Sequence, residues 1–172
     1  MALVLDGNGT MTVGNGDITG LVAGALPSTV IGAGAVLQVV SNTLPTQVTT
    51  TTNNTFVTTG LLASITPTSS TSKILATVSG SGYTSTSAVQ GVFTLYKNST
   101  NLSTNGFTLV YAGSSATQGG VTFSYLDSPA TTSSTTYTLY FTLSNSAGTV
   151  YFNPLSAYGQ GTATIILQEI AG

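Results

Sequence analysis

The sequence predicts an all-β protein, an antiparallel β-sandwich of jelly-roll type preceded by an extended amino-terminal arm. Three observations predict it. Short runs rich in Val, Ile, Thr, Tyr and Phe follow one another after residue 34, and Ser, Thr, Asn and Gly clusters separate them. No segment carries the i, i+3, i+4, i+7 apolar spacing of an amphipathic helix between caps. At 172 residues the chain has room for one well-buried domain plus an arm.

The arm spans residues 1–33 and the β-domain residues 34–172, because composition shifts at about residues 33–35. Before that point, turn signals such as Asp6-Gly7-Asn8-Gly9 and Gly14-Asn15-Gly16-Asp17 punctuate a run of small residues. Within the arm, Leu3, Leu5, Ile18, Leu21, Leu26, Val30 and Ile31 are the side chains able to dock on another protein. The charge-free stretch Ile18 to Val40 is long enough for a membrane helix. Its interior Gly20, Gly24, Pro27, Gly32 and Gly34, and the lack of flanking Lys or Arg, argue against insertion. Met1 to Leu5 lacks the basic residue and apolar length of a signal peptide, so synthesis in a host cytoplasm is expected.

Strands are expected at Val36 to Ser41, Thr55 to Thr59, Leu61 to Thr66, Lys73 to Ser79, Gly91 to Lys97, Phe107 to Ala112, Val121 to Leu126, Thr136 to Ser144, Val150 to Asn153 and Thr162 to Ile170. Several alternate with period two. Tyr137, Leu139, Phe141 and Leu143 oppose Thr138, Thr142 and Ser144; Val121, Phe123 and Tyr125 oppose Thr122 and Ser124; Ile74, Ala76 and Val78 oppose Thr77 and Ser79. One face in and one face out is the requirement of a sandwich. The last strand differs. Ala163, Ile165 and Leu167 lie on one side and Ile166 and Ile170 on the other, so it is either central in its sheet or part of a subunit interface through Ile166 and Ile170. The Thr-rich stretches Thr49 to Thr52 and Thr131 to Thr136 read as surface loops.

Composition removes most chemistry. Only Lys73, Lys97, Asp6, Asp17, Asp127 and Glu169 are charged, 3% of the chain against about 25% in ordinary domains. The absence of His and Cys takes away the commonest general base, metal ligands and thiol nucleophile. Two lysines, no arginine and a net charge of −2 leave nothing to neutralise a run of phosphates, so neither nucleic acid nor an anionic membrane is an expected partner. No catalytic residue, cofactor or metal is expected.

The remaining constellations are weak. A carboxylate pair has no sequence basis, and Glu169 is expected as a solvated acid at a strand end. Asp6, Asn8 and Asp17 imitate part of a calcium loop, but Met11 stands where the turn needs Gly. Ser70 and Lys73 match a bare S-x-x-K spacing, yet the segment leads into a strand, so Lys73 is expected to be a charge guarding a strand end. The sequons at Asn8, Asn53, Asn98 and Asn101 read as a product of composition. Among eight tyrosines, Tyr83 and Tyr158 fall in Gly- and Ser-rich stretches taken as loops and are the candidate surface ligand contacts, carbohydrate stacking included.

Several strings, in this order, carry a resemblance: Met-Ala-Leu-Val-Leu-Asp-Gly-Asn-Gly-Thr at 1–10, Ile-Thr-Gly-Leu at 18–21, Gly-Ala-Val-Leu-Gln-Val-Val at 34–40, Ser-Ile-Thr-Pro at 64–67 leading to Ser-Lys-Ile-Leu at 72–75, and Ile-Leu-Gln-Glu-Ile-Ala-Gly at 166–172. Together they resemble tail-fibre-like virion proteins of tailed bacteriophages, of the cyanophage and aquatic-phage type. The resemblance implies an amino-terminal segment that attaches to the virion and a carboxy-terminal trimeric jelly roll that meets the host surface. It implies as partners two further copies of the chain, baseplate or tail proteins, and a host cell-surface glycan or receptor. The chain lacks the shaft repeats of longer fibres, which leaves a capsid decoration protein as the alternative, with capsid proteins as partners, and a polysaccharide hydrolase as a more distant one.

Overall fold

The computed structural model describes residues 32–144, 148–154 and 161–172. The compact unit they belong to runs from Gly32 to Gly172. Among the described residues there is no helix; eleven strands form two antiparallel sheets packed face to face.

The strands are β1 (Val36–Leu44), β2 (Val48–Thr50), β3 (Val57–Ile65), β4 (Lys73–Thr84), β5 (Val89–Lys97), β6 (Thr100–Asn101), β7 (Thr108–Ala112), β8 (Thr117–Asp127), β9 (Thr135–Leu143), β10 (Val150–Phe152) and β11 (Ala163–Ile170). In the first sheet, β4 pairs with β8 along one edge. Its other edge is shared by β11 over Lys73–Ser79 and by β10 over Gly82–Thr84, with β1 outside β11 and β2 outside β10. The second sheet runs β3-β9-β5, and the far edge of β5 is shared by β7 and β6. The last strand is therefore central, between β1 and β4.

The period-two patterns produce this packing directly. Ile74, Ala76 and Val78 of β4, Ile165 and Leu167 of β11, Leu95 and Phe93 of β5, and the four apolar residues from Tyr137 to Leu143 on β9 all point inward and are buried. Phe93 stacks on Phe141 at 5.9 Å and meets Phe152 from the first sheet at 5.8 Å, which ties the layers together at mid-core. The sheets approach closely where inward positions lack a side chain: at Gly91 a Cβ would lie 2.7 Å from Val150 Cγ1.

Two expectations change at the strand level. The runs Thr55 to Thr59 and Leu61 to Thr66 are one strand, β3, whose register against β9 shifts between Thr58 and Leu62. Gly60 adopts φ +82° there, a left-handed conformation that costs glycine little and lets the bulge turn Leu61 back into the core. Thr59 Oγ1 donates to Leu139 O at 2.8 Å and replaces the lost ladder bond. The Thr49 to Thr52 stretch is in part strand β2, with Thr50 buried, rather than wholly a surface loop.

The open sides of the sandwich are closed by side chains. On one side Asn42 Nδ2 donates to Leu62 O at 2.8 Å and Gln38 Nε2 to Thr66 O at 2.7 Å, so β1 satisfies carbonyls along the edge of β3. On the other, Phe107 stacks on Phe123 at 5.0 Å and meets Tyr125 edge-on at 5.1 Å. Gly34 and Ala35 pair with Ala171, which places residue 32 beside the carboxy terminus at one end of the sandwich.

Candidate functional site

The arm residues Leu3, Leu5, Ile18, Leu21, Leu26, Val30 and Ile31 lie outside the described residues, as do Asp6, Asp17 and Tyr158. Tyr83 is not in a loop. It lies within β4, opposite Tyr151 of β10, and the two rings meet at 5.3 Å on the outer face of the first sheet. The Gly-Ser-Gly preceding it reads as a loop in sequence, but the glycines are strand positions: a Cβ on Gly80 would lie 2.9 Å from Phe152, and one on Gly82 3.0 Å from Val110 and Val121. Lys73 is exposed at the first position of β4, as a guarding charge should be.

Ile166 and Ile170 share the outer face of the first sheet and are half-buried. On that face Ile166 lies between Ser41 and Thr77 and Ile170 between Val36 and Lys73, beside a largely apolar row. Val36 pairs with Ile170, and one row runs Val39, Gln168, Leu75, Leu126 across four strands. Val36, Val39 and Leu126 are 50%, 57% and 51% exposed.

The two described acids are structural in their contacts. Asp127 and Glu169 flank Ile74 on neighbouring strands, so they face the interior in one row, with backbones about 10 Å apart at the usual ~4.8 Å strand spacing. Asp127 receives Tyr137 Oη at 2.6 Å and the Lys97 ammonium at 3.0 Å, and so links β8 of the first sheet to β5 and β9 of the second. Burial, reinforced by the neighbouring Asp127 carboxylate, pushes the Tyr137 hydroxyl well above the ordinary phenol range.

Glu169 departs from the expected solvated position: it is fully buried. Gln38 Nε2 donates to Oε2 at 2.6 Å, while Thr68 donates through both its backbone N–H and its hydroxyl to Oε1 at 2.7 Å. Burial by itself pulls the carboxyl pKa up, but these bonds and the adjacent Ser72 hydroxyl outweigh it and hold the group below its ordinary value. Ser72 Oγ is itself buried and meets no group in good hydrogen-bond geometry. The residue thereby joins β1, the β3–β4 connection and β11.

The concave feature of interest lies elsewhere, on the outer face of the second sheet. Segment 51–56 crosses that face because Thr142 Oγ1 donates to Thr52 O at 3.0 Å and accepts from Thr55 N at 3.1 Å. The β5–β7 connection crosses it from the other side, held by Thr94 Oγ1, whose single proton is shared between Asn101 Oδ1 at 2.7 Å and Ser103 O at 2.9 Å. Between them is a groove of about 200 Å³. Val92 and Thr142 form its floor, Asn54 and Phe56 one wall, and Thr104 and Asn105 the other, with Ser144 at one end. Phe56 extends the wall into an aromatic strip, meeting Tyr96 edge-on at 6.5 Å, and Tyr96 stacks on Tyr140 at 3.9 Å.

No residue of the groove was singled out for binding from sequence. The Asn53-Asn54 and Asn105-Gly106 turn pairs are its only local signals, and two turns 52 positions apart meet only once the β3-β9-β5 order is known. Among the described residues there is no group of three or more His, Cys, Asp or Glu able to hold a metal, and no helix long and apolar enough to cross a membrane. No protein-family model and no curated protein sequence matches the chain.

Proposed function

We propose that this chain is a structural subunit of a bacteriophage particle, a short tail-fibre-like protein that docks through its arm of residues 1–33 and presents its β-domain for host-surface attachment as a homotrimer. The observation that carries the reading is the strand order. The four long strands of the first sheet run β1-β11-β4-β8 and those of the second β3-β9-β5-β7. That order supports reading the sandwich as a jelly roll, two interlocked Greek keys, an architecture used by viral shell proteins and lectins.

Other features support the reading. The surface is built from hydroxyls and amides in place of charge, which suits a permanent assembly in a crowded particle. Lone pairs on both described acids are occupied by structural hydrogen bonds, leaving no evident carboxylate pair for glycoside hydrolysis. The outer face of the first sheet, with Ile166 and Ile170 among Val36, Val39 and Leu126, is the surface assigned to contact between copies.

The test is location. Immunogold or cryo-microscopy of intact particles from the encoding phage should find the chain at the tail, and deleting residues 1–33 should leave a folded β-domain that no longer enters particles. Density on the head instead establishes the decoration alternative, and absence from purified particles overturns both.

A further inference from the structure

We propose that the groove between segments 51–56 and 103–106 binds one ring of a neutral saccharide, with Asn54, Thr104 and Asn105 supplying hydrogen bonds and Phe56 the apolar face. The inference starts from what the groove lacks. None of its lining residues is charged, and the one charged group on either floor strand, Lys97 at the end of β5, is paired with Asp127 of β8. An ionic ligand would find no counter-charge there. A purely apolar ligand would strand the amides.

What the groove offers is a mixed surface. The side chains of Asn54, Thr104 and Asn105 are exposed, and among the described residues they have no hydrogen-bond partner. Each amide presents a donor and an acceptor side by side, the complement of adjacent ring hydroxyls, which also donate and accept. The floor is different. Thr142 Oγ1 is already committed to Thr52 O and Thr55 N, so Val92 and the Phe56 ring are left to meet the C–H face of a sugar. At about 200 Å³ the groove is smaller than the roughly 300–1,000 Å³ of pockets that enclose a drug-sized ligand, which matches one ring of a chain lying across the surface.

The walls are also fixed in advance. Asn54 holds φ +55° while its N–H donates to Leu143 O at 2.8 Å, and Gly106, at φ +80°, donates to Ser103 O at 3.1 Å. Non-glycine residues in the left-handed region carry strain that surrounding structure must hold, and such positions gather at binding sites. Two short walls pinned to a rigid sheet lose little entropy on binding.

The inference deepens the proposed attachment role by naming the ligand class, and its test is separable from that role. Full-length protein is titrated with maltohexaose, cellohexaose and mannohexaose, and with trigalacturonate as an anionic control, while backbone and side-chain amide signals are followed by NMR. At least one neutral probe should shift Asn54, Thr104 and Asn105 signals at millimolar concentrations, the affinity range of a shallow site. Asn105→Ala should weaken that binding about tenfold. Asn54→Gly, which keeps the left-handed backbone, should do likewise, and Phe56→Leu, which keeps an apolar wall without a π face, should also weaken it. Silence of all three neutral probes up to about 10 mM, an equal response to trigalacturonate, or retained binding in both the Asn105→Ala and Phe56→Leu proteins overturns the proposal. Saccharide binding by a protein that never enters particles would sink the attachment role and leave the groove's ligand intact.

Discussion

Lys97, Asp127 and Tyr137 form a small polar bolt through one end of a largely apolar core. Because Asp127 is only 6% exposed, removing a partner leaves its charge poorly compensated, whereas removing both charges together leaves none. Lys97→Met should therefore destabilise the domain by about 3–5 kcal/mol, and Lys97→Met combined with Asp127→Leu and Tyr137→Phe, which leaves no orphaned hydroxyl, by much less, read from urea unfolding midpoints. Equal or additive losses would show that the pair is not coupled. Glu169 behaves differently because it has no cationic partner and is held by neutral donors. Its folded pKa is lowered, so its contribution to stability is complete above the ordinary value of 4.5 and is lost as pH falls through the depressed folded value. Glu169→Gln should lower stability at neutral pH by roughly 1–3 kcal/mol and flatten the acid limb of the stability profile. A variant with an unchanged acid limb would assign that limb elsewhere. Neither site was legible in the sequence: Gln38 and Thr68 lie 131 and 101 residues from Glu169, and no local pattern reports contacts of that range.

Whole strands were far more legible than these contacts. Burial on one face is a local property, so the alternations on β4, β8 and β9 could be read from neighbouring residues, and each resolves into one core face and one outer face. What the pattern missed is short or irregular: β2 and β6 are three and two residues long, too short to show a period, and the bulge in β3 breaks its period at Gly60. The same limit hid the inter-sheet distance. Gly91 looks like a weak strand residue, yet its missing side chain is where Val150 packs. Gly91→Ala adds a methyl group at 2.7 Å from a buried Val carbon, and β5 is pinned on both edges, so the neighbour has little room to yield. The substitution should cost about 1–3 kcal/mol by overpacking, measured as a lowered thermal midpoint, and Gly91→Ala with Val150→Ala should recover part of it. A neutral Gly91→Ala would mean that the layers slide apart without penalty.

For the molecule as a whole, the question is how copies of the chain would meet, and the outer face of the first sheet is the surface that offers exposed aliphatic side chains. Ile166 and Ile170 could be read from the sequence as facing away from the core, but Val36, Val39, Leu75 and Leu126 join them only through the order β1-β11-β4-β8, which no single segment encodes. An antiparallel sheet tolerates one solvated face, and the outer face around Thr77, Ser79, Thr122 and Ser124 is accordingly polar. The row beside it, apolar except for Gln168, breaks that rule. Single exposed aliphatic residues are ordinary on a monomer, whereas a contiguous group rimmed by hydroxyls is the pattern of a contact surface. If this face joins the copies of a trimer, the wild-type chain should scatter light as a trimer at micromolar concentration. Val39→Lys with Leu126→Lys should then give a monomer with an unchanged circular dichroism spectrum, since both side chains are about half exposed and neither fills the core. Surface charges of this kind cost little within one domain and several kcal/mol when buried unpaired between subunits, so loss of the trimer without loss of the fold is the discriminating result. A wild-type monomer removes the trimer, and a trimeric double variant moves the interface to another face.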